Sequence, residues 1–259
     1  MDILQQIMGE RRAAVDVARR EVSVEALRER AAGRVHHSLE EALGREGTSI
    51  VAEVKKASPS AGLLRPDYDP GAMAGIYEAN GACGISVLTE PKHFLGSADH
   101  LAAVRAAVSL PVLRKDFMCD PYQVLEAAAW GADVVLLIVA ALEDGLMRDL
   151  YDTARELGLD VLAESHNEEE LERALRLEDA ILGVNSRNLK TLKTDLATAH
   201  ALSGRVPPDR LSLAESGIKT RHDIEGLTGA GYSGFLIGES IVGHDDPGAK
   251  LRELRGEHS

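Results

Sequence analysis

The stretch SIVAEVKKASPSAG, residues 49–62, decides how the rest of the chain is read. Its first half is apolar and β-branched at Ile50, Val51 and Val54, a pattern that predicts a buried strand. Its second half crowds Glu53, Lys55, Lys56 and Ser58 against Pro59, Ser60 and Gly62, so the strand ends in ionisable groups and a turn. Charges at the end of a buried strand are costly unless they serve a site. For this strand alone, a plain ion pair between Glu53 and Lys55 is the competing explanation. Recurrence of the pattern along the chain separates the two.

Downstream, apolar runs predict strands at 50–54, 84–88, 111–114, 133–139, 160–163, 180–184, 211–214 and 234–237. Helical stretches near 70–80, 97–108, 120–130, 142–157, 167–177, 194–203 and 219–229 separate them, and one near 247–255 follows. Gly81, Gly131, Gly158 and Gly231 stand where a helix ends ahead of the next strand. Eight such units joined by right-handed crossovers predict an α/β fold, a (β/α)8 TIM barrel. An open doubly wound sheet is the competing architecture, but no dinucleotide fingerprint follows the first strand. The run GAGYSG at 229–234 matches that fingerprint by letter, yet it precedes a strand instead of following one. Residues 1–48 read as an N-terminal helical extension. Ile3, Leu4, Ile7, Met8, Val15 and Ala18 fall at helical spacing, and Ser23 is placed to cap a second helix. The extension is expected to cover one end of a barrel at 49–259, the whole forming one structural domain.

A length of 259 residues suits a single barrel of about 250. Hydrophobic content of 44% with 3% aromatics implies a core of Ala, Val, Leu and Ile. The net charge of −13 argues against a nucleic-acid or anionic-membrane partner. It leaves room for an anionic small molecule, because screening over roughly 8–10 Å lets a local basic cluster dominate. Cys83 and Cys119 give neither zinc spacing nor a disulfide framework, and they suit a reducing, cytoplasmic compartment. No run is long enough for a membrane span, and the N-terminus lacks a signal-peptide core. The nine histidines show no metal-ligand spacing and are expected on the solvated surface.

The residues at or just past the strand ends form a set: Glu53 and Lys55, Glu90, Lys115 and Asp116, Glu164, Asn185 and Arg187, Glu215 and Ser216, Gly238 and Glu239. In a barrel these ends converge on one mouth, where such enzymes place their active sites. The fourth strand adds no polar group, and its Leu136 and Ile138 suit an apolar wall. Any one of these charges is ordinary in a solvated loop; their repetition at strand after strand points to a shared site. Glu215-Ser216-Gly217 and Gly238-Glu239-Ser240 also repeat a small-residue turn whose exposed amides suit a phosphate. A pair of tight turns is the plainer reading, and it leaves the repetition unexplained.

Seven motifs then occur in order: AEVKKASPSAG (52–62), SVLTEPKHFLG (86–96), PVLRKDF (111–117), GADVVLLIVAAL (131–142), NSRNL (185–189), AESGI (214–218) and LIGES (236–240). On these the sequence resembles the indole-3-glycerol-phosphate synthase family over nearly its whole length. The resemblance implies conversion of 1-(2-carboxyphenylamino)-1-deoxyribulose 5-phosphate to indole-3-glycerol phosphate, with loss of CO2 and water and with no metal or organic cofactor. It implies Lys115 as general acid at the ketose carbonyl and Glu164 as base in the final aromatisation. Lys55, near Glu53, is expected to bind substrate anions; which lysine serves which step stays open. Phe94 and Phe117 match positions beside the anthranilate ring, with core packing as the alternative. Ser58 and Ser60 are assigned to the substrate carboxylate or to loop shape. Glu90 and Glu215 are expected to orient the lysines and ribulose hydroxyls, and Asn185 to meet a hydroxyl. Ser216, Gly217, Gly238, Glu239, Arg187 and Leu136 complete the expected substrate and phosphate surround. Lys55, Lys115 and Arg187, converging on one mouth, are expected to lower one another's proton affinity. Departures at Leu64, Tyr68, Ser186 and Gly243 fall outside these groups. Another phosphosugar barrel, such as phosphoribosylanthranilate isomerase, and a noncatalytic barrel subunit are the rival readings. The expected partner is a small phosphorylated substrate, and the chain is expected to be a monomer or weak homo-oligomer.

Overall fold

In the computed structural model, which describes residues 3–58, 62–64, 68–189 and 191–257, eight parallel strands close into a barrel. They are β1 (Ile50–Val54), β2 (Gly84–Leu88), β3 (Val112–Lys115), β4 (Val134–Ile138), β5 (Asp160–Ser165), β6 (Ile181–Asn185), β7 (Ser212–Glu215) and β8 (Gly234–Ile237). Each pairs with its successor, and β1 closes on β8. The expected (β/α)8 barrel is therefore the observed fold. Three helices precede β1: α1 (Ile3–Glu21), α2 (Val24–Ala31) and α3 (Leu39–Leu43). The outer ring is α4 (Pro70–Ala79), α5 (Ala98–Ala107), α6 (Pro121–Trp130), α7 (Asp144–Glu156), α8 (Glu168–Ala174), α9 (Ala197–Ser203) and α10 (Arg221–Gly229), with α11 (Glu239–Val242) and α12 (Pro247–Arg255) after β8. The caps explain where these helices start. Asp69, Asp120 and Asp246 each accept a backbone N–H of the first turn and are followed by a proline at the first helical position. Thr220 and Asp223 form a reciprocal capping box at α10.

Strand pleating sends alternate residues to opposite faces, and this decides which side chains fill the barrel. Val51, Leu113, Leu162 and Leu213, from the odd-numbered strands, share one interior apolar cluster with Leu136 and Leu236 from the even-numbered ones. Their outward-pointing neighbours, among them Ala52, Val112, Val161 and Ala214, pack under the helices. Each fully buried Val or Leu contributes about 1.5–3 kcal/mol. Two residues further along the same odd strands stand Glu53, Lys115, Glu164 and Glu215. The interior thus changes in one layer from aliphatic to ionic, as the alternate-strand packing of such barrels allows.

The N-terminal extension packs against both ends of this barrel, where the sequence suggested one. At the bottom, α3 inserts Leu39, Ala42 and Leu43 into the interior cluster, and Asp160 accepts the Leu39 amide at 2.7 Å. Asp133 accepts the His37 amide at 2.9 Å and pairs with Arg105 at 2.7 Å beside it. At the top, Arg11 of α1 reaches Asp116 at 2.7 Å, just past β3. Tyr122 of α6 ties the α1–α2 turn by donating to the carbonyls of Ala18 and Val22 at 3.0 and 2.8 Å. Among the described residues no helix is long and apolar enough to cross a membrane.

Candidate active site

A cavity of about 630 Å³ opens at the C-terminal ends of the strands. That volume suits a drug-sized ligand. Its floor includes Glu53, Lys115 and Glu164 from the ionic layer, with Lys55 just past the end of β1. The even strands supply the next tier, Leu88, Ile138, Asn185 and Gly238. Ile3, Leu4 and Ile7 of α1 join Phe94 and Phe117 to make an apolar flank. The two phenylalanine rings lie 6.1 Å apart, tilted by 38°.

Of the sequence-predicted site residues, Ser58, Leu136, Arg187, Ser216, Gly217 and Glu239 also line this cavity. Glu215 lies fully buried just beneath it, within 3.3 Å of Lys115. Ser60 lies outside the described residues. Glu90 is placed elsewhere. Its buried carboxylate accepts the backbone N–H groups of Lys92, His93 and Phe94 at 2.9, 2.6 and 3.0 Å, so it holds the turn that carries Phe94 and does not line the cavity. The expectation that Glu90 orients the lysines and ribulose hydroxyls is corrected accordingly: it sits two residues past Leu88, beyond the end of β2, where amides of its own turn saturate the carboxylate. Lys219 and Lys250 line the cavity without having been picked out from sequence, because neither sits at a strand end.

Two glycines make room for the ionic layer. A Cβ at Gly238 would stand 2.3 Å from Glu53 Oε1, and one at Gly183 would stand 2.4 Å from Glu215 Oε1. The carboxylates therefore occupy the space of the missing side chains. After β7 the chain turns through two left-handed residues, Ser216 (φ 64°) and Gly217 (φ 85°). A left-handed serine stores roughly 1–3 kcal/mol of strain, a feature that concentrates at functional sites. Ser240 Oγ donates to the Ile218 carbonyl at 2.8 Å, which joins this turn to the one after β8. Both turns face the cavity.

The charges of the layer are tightly paired. Lys55 Nζ lies 2.6 Å from Glu53 Oε1, and Lys115 Nζ lies 3.3 Å from both Glu53 Oε2 and Glu215 Oε2. Burial alone would raise the Glu53 pKa, but the ammonium groups of Lys55 and Lys115 outweigh it and hold the carboxyl at about 2. Lys115 moves the other way from the sequence expectation. Burial would lower its proton affinity, but Glu53, Glu215 and Glu164 together raise it well above the ordinary lysine range. Nor does Arg187 act against it, since that guanidinium pairs with Glu239 at 2.8 Å. Lys115 is a fully charged ammonium at neutral pH because acids, not cations, surround it.

Glu164 and Glu215 separate within the same layer. Burial raises Glu215 to about 8, with Glu164 adding to the rise and Lys115 opposing it. Glu164 is pushed up by burial as well, yet His166, and after it Lys115, bring it down to about 2. His166 is not on the solvated surface, where the histidines were expected. Its side chain is 11% exposed, with Nε2 3.4 Å from Glu164 Oε1 and Nδ1 3.0 Å from Glu170 Oε2. The signal in the sequence was Glu164-x-His166-x-x-x-Glu170, which matches no metal pattern. Among the described residues one carboxylate and imidazole group has metal-ligand reach, Glu10, Glu90 and His93. None of the three lines the cavity, and Glu90 is occupied by turn amides.

The profile of the family described as indole-3-glycerol phosphate synthase matches residues 4–254. The chain is 54% identical over 209 residues to the indole-3-glycerol phosphate synthase of Rhodospirillum rubrum, covering 80% of each chain. It is 45% identical over 258 residues to that of Azospirillum brasilense, covering 98% of each. Among solved structures, the N-acetylmannosamine-6-phosphate 2-epimerase of Clostridium perfringens superposes with a TM-score of 0.63 at 15% identity, over 85% of this chain and 97% of that one. Thiamine phosphate pyrophosphorylase of Pyrococcus furiosus gives 0.61 at 17% identity, over 85% and 96%. At such identities these two share the barrel alone.

Proposed function

Because the chain belongs to the indole-3-glycerol phosphate synthase family, the decarboxylating lyases of tryptophan biosynthesis, we propose that Lys115 and Glu164 divide the reaction's proton transfers. The observation that carries this reading is the ionic layer itself, where an ammonium donor and an ionised carboxylate share the floor of one apolar-walled cavity.

In the first step the anilino ring carbon attacks the ketose carbonyl. A C–C bond forms and the carbonyl electron pair moves onto oxygen. The Lys115 ammonium stabilises that charge and donates a proton as the oxygen becomes an alkoxide. Its raised proton affinity keeps it charged before the step, and an alkoxide is more basic than an amine, so the transfer runs downhill once the bond has formed. The ring carboxylate then leaves as CO2, and its electron pair restores the aromatic ring by neutralising the iminium. In the last step the hydroxyl on the former carbonyl carbon leaves as water, taking a second proton from a lysine ammonium of the same layer, Lys55 or a reprotonated Lys115. Glu164 takes a proton from the adjoining ring methylene, and the indole double bond closes. Lys55, anchored by Glu53, is assigned to the substrate's anionic groups, with Phe94 and Phe117 beside its aromatic ring. The turns at Ser216–Gly217 and Gly238–Glu239 are assigned to the phosphate, with Lys250 nearby. Asn185 and Glu215 are assigned to substrate hydroxyls. A small phosphorylated substrate, a reducing cytoplasmic setting and a monomer or weak homo-oligomer belong to the same reading.

The test mixes the purified chain with 1-(2-carboxyphenylamino)-1-deoxyribulose 5-phosphate in EDTA-treated buffer and follows indole fluorescence. Turnover is expected without added metal. Lys115→Met should abolish ring closure while still binding substrate; near-normal turnover in that variant would remove Lys115 from the acid role.

A further inference from the structure

A carboxylate that takes a proton from carbon has to be aimed, and the residues behind Glu164 show how. Where β5 gives way to α8, His166 turns its ring back toward the strand end. It lies between Glu164 Oε1, 3.4 Å from Nε2, and Glu170 Oε2, 3.0 Å from Nδ1. Glu170 is fixed in turn: the His166 amide donates to its Oε2 at 2.8 Å, and Asn167 Nδ2 donates to its Oε1 at 2.6 Å. Asn167 also caps α8 by accepting the Glu170 amide at 3.0 Å. Neither His166 nor Glu170 lines the cavity. A carboxylate–imidazole–carboxylate line thus runs from the first turn of a helix to the floor of the site.

We propose that His166, held by Glu170, is a positioning residue that orients Glu164 and keeps it ionised for proton abstraction. The proposal rests on the reading of Glu164 as the base. A base oriented by a second group, itself fixed by a third, is a recurring catalytic arrangement. An imidazole between two carboxylates is best satisfied with a proton on each nitrogen, because a neutral ring would turn a lone pair toward one of the acids. The charges around it agree. Burial would lower the His166 proton affinity, but Glu164 on β5 and Glu170 on α8 raise it to about 10. Glu164 in turn faces Lys115 on β3, Asn185 on β6 and Glu215 on β7. His166 and Lys115 hold Glu164 ionised, and Glu215 carries the proton that the pair would otherwise contest.

The experiment compares His166→Ala, His166→Gln and Glu170→Gln with Glu164→Gln in the full chain, measuring kcat and KM by indole fluorescence between about pH 4.5 and 10. His166→Ala is expected to lower kcat about tenfold or more with KM within about twofold. An acid limb should also appear between about pH 5 and 6, where the wild type is flat, since Glu164 has lost a cation. His166→Gln keeps an N–H donor, so it should recover part of kcat while keeping that limb, which separates aim from charge. The wild type should lose activity at about pH 10, where His166 gives up its proton, and Glu170→Gln should bring that alkaline loss down by about one pH unit or more. A merely structural role would lower Tm while adding no acid limb and leaving the alkaline loss in place, and that result would overturn the proposal. Nitrogen-15 NMR gives a second readout: both imidazole nitrogens of His166 should carry protons at about pH 8, and a ring titrating near its ordinary value of about 6.5 would overturn it too. Glu164→Gln tests the underlying reading separately. If that variant turns over normally, the base assignment fails whatever His166 does; if it is inactive and the His166 profiles are unshifted, only the positioning role fails.

Discussion

Replacing Glu215 by Gln should stabilise the protein above about pH 5, although it removes an acid standing 3.3 Å from Lys115. The reason is the state of that acid. In the unfolded chain it ionises at its ordinary 4.5, whereas burial beneath the cavity holds its proton until about pH 8. Between those values the native state binds more protons than the unfolded state, so stability falls as pH rises. The stability linked to this carboxyl is present in full below pH 4.5 and lost by about pH 8. At about 1.4 kcal/mol per unit, the whole shift amounts to roughly 5 kcal/mol, of which about 3 has been lost by pH 7. Glutamine has the same shape, fits the space left by Gly183 and cannot ionise. Allowing about 1 kcal/mol for a weakened hydrogen bond to Lys115, the variant should be more stable by about 2 kcal/mol at pH 7. Urea midpoints measured for both proteins at a series of pH values between 4.5 and 8.5 would show the difference. The curves should meet near the acid end and diverge as pH rises. A glutamine variant that is less stable by a constant amount at every pH would refute the reasoning, because Glu215 would then be an ionised partner of Lys115.

Gly238→Ala places a methyl 2.3 Å from Glu53 Oε1 and 3.2 Å from Glu53 Cβ, so the carboxylate has to leave Lys55 or Lys115. It should retain the fold by circular dichroism and lose at least about tenfold in kcat, equivalent to about 1.4 kcal/mol at the barrier; an unchanged kcat would show that Glu53 does not set the lysines. The depressed values of Glu53 and Glu164 make a stabilising contribution that is complete above pH 4.5 and disappears as pH falls toward about 2. Acid unfolding followed by near-ultraviolet circular dichroism should therefore begin below pH 4.5 and be shallower in Glu53→Gln, and identical transitions in the two proteins would contradict it.

The fold was legible because the barrel repeats its signal: apolar runs, helix-ending glycines and acids or lysines at strand ends all recur with one period. Glu53, Lys115, Glu164 and Glu215 could be nominated from that period, and pleating places all four inside. What escaped was set by contacts across the chain. His166 looked like a surface residue because Glu164 and Glu170 flank it only once β5 and α8 have turned around it. Glu90 carried the same strand-end signature as Glu53, yet three amides of its own turn took up its oxygens. The proton affinity of Lys115 was misjudged because sequence order does not say that Arg187 is paired with Glu239 while three carboxylates lie closer. Gly183 and Gly238 were visible as glycines, but the carboxylates that need their space come from other strands.

The belt formed by α1, α2 and α3 has an implication for how the chain is born. Its anchors lie far ahead of it in the order of synthesis: Arg11 waits for Asp116, 105 residues on, and Leu39 waits for Asp160, 121 residues on. At about 5–20 residues per second, the ribosome needs roughly 6–24 s to supply the second of these. The first helices made should therefore be among the last to dock, with Ile7, Met8 and Leu39 unshielded in the meantime and within reach of any nascent-chain chaperone.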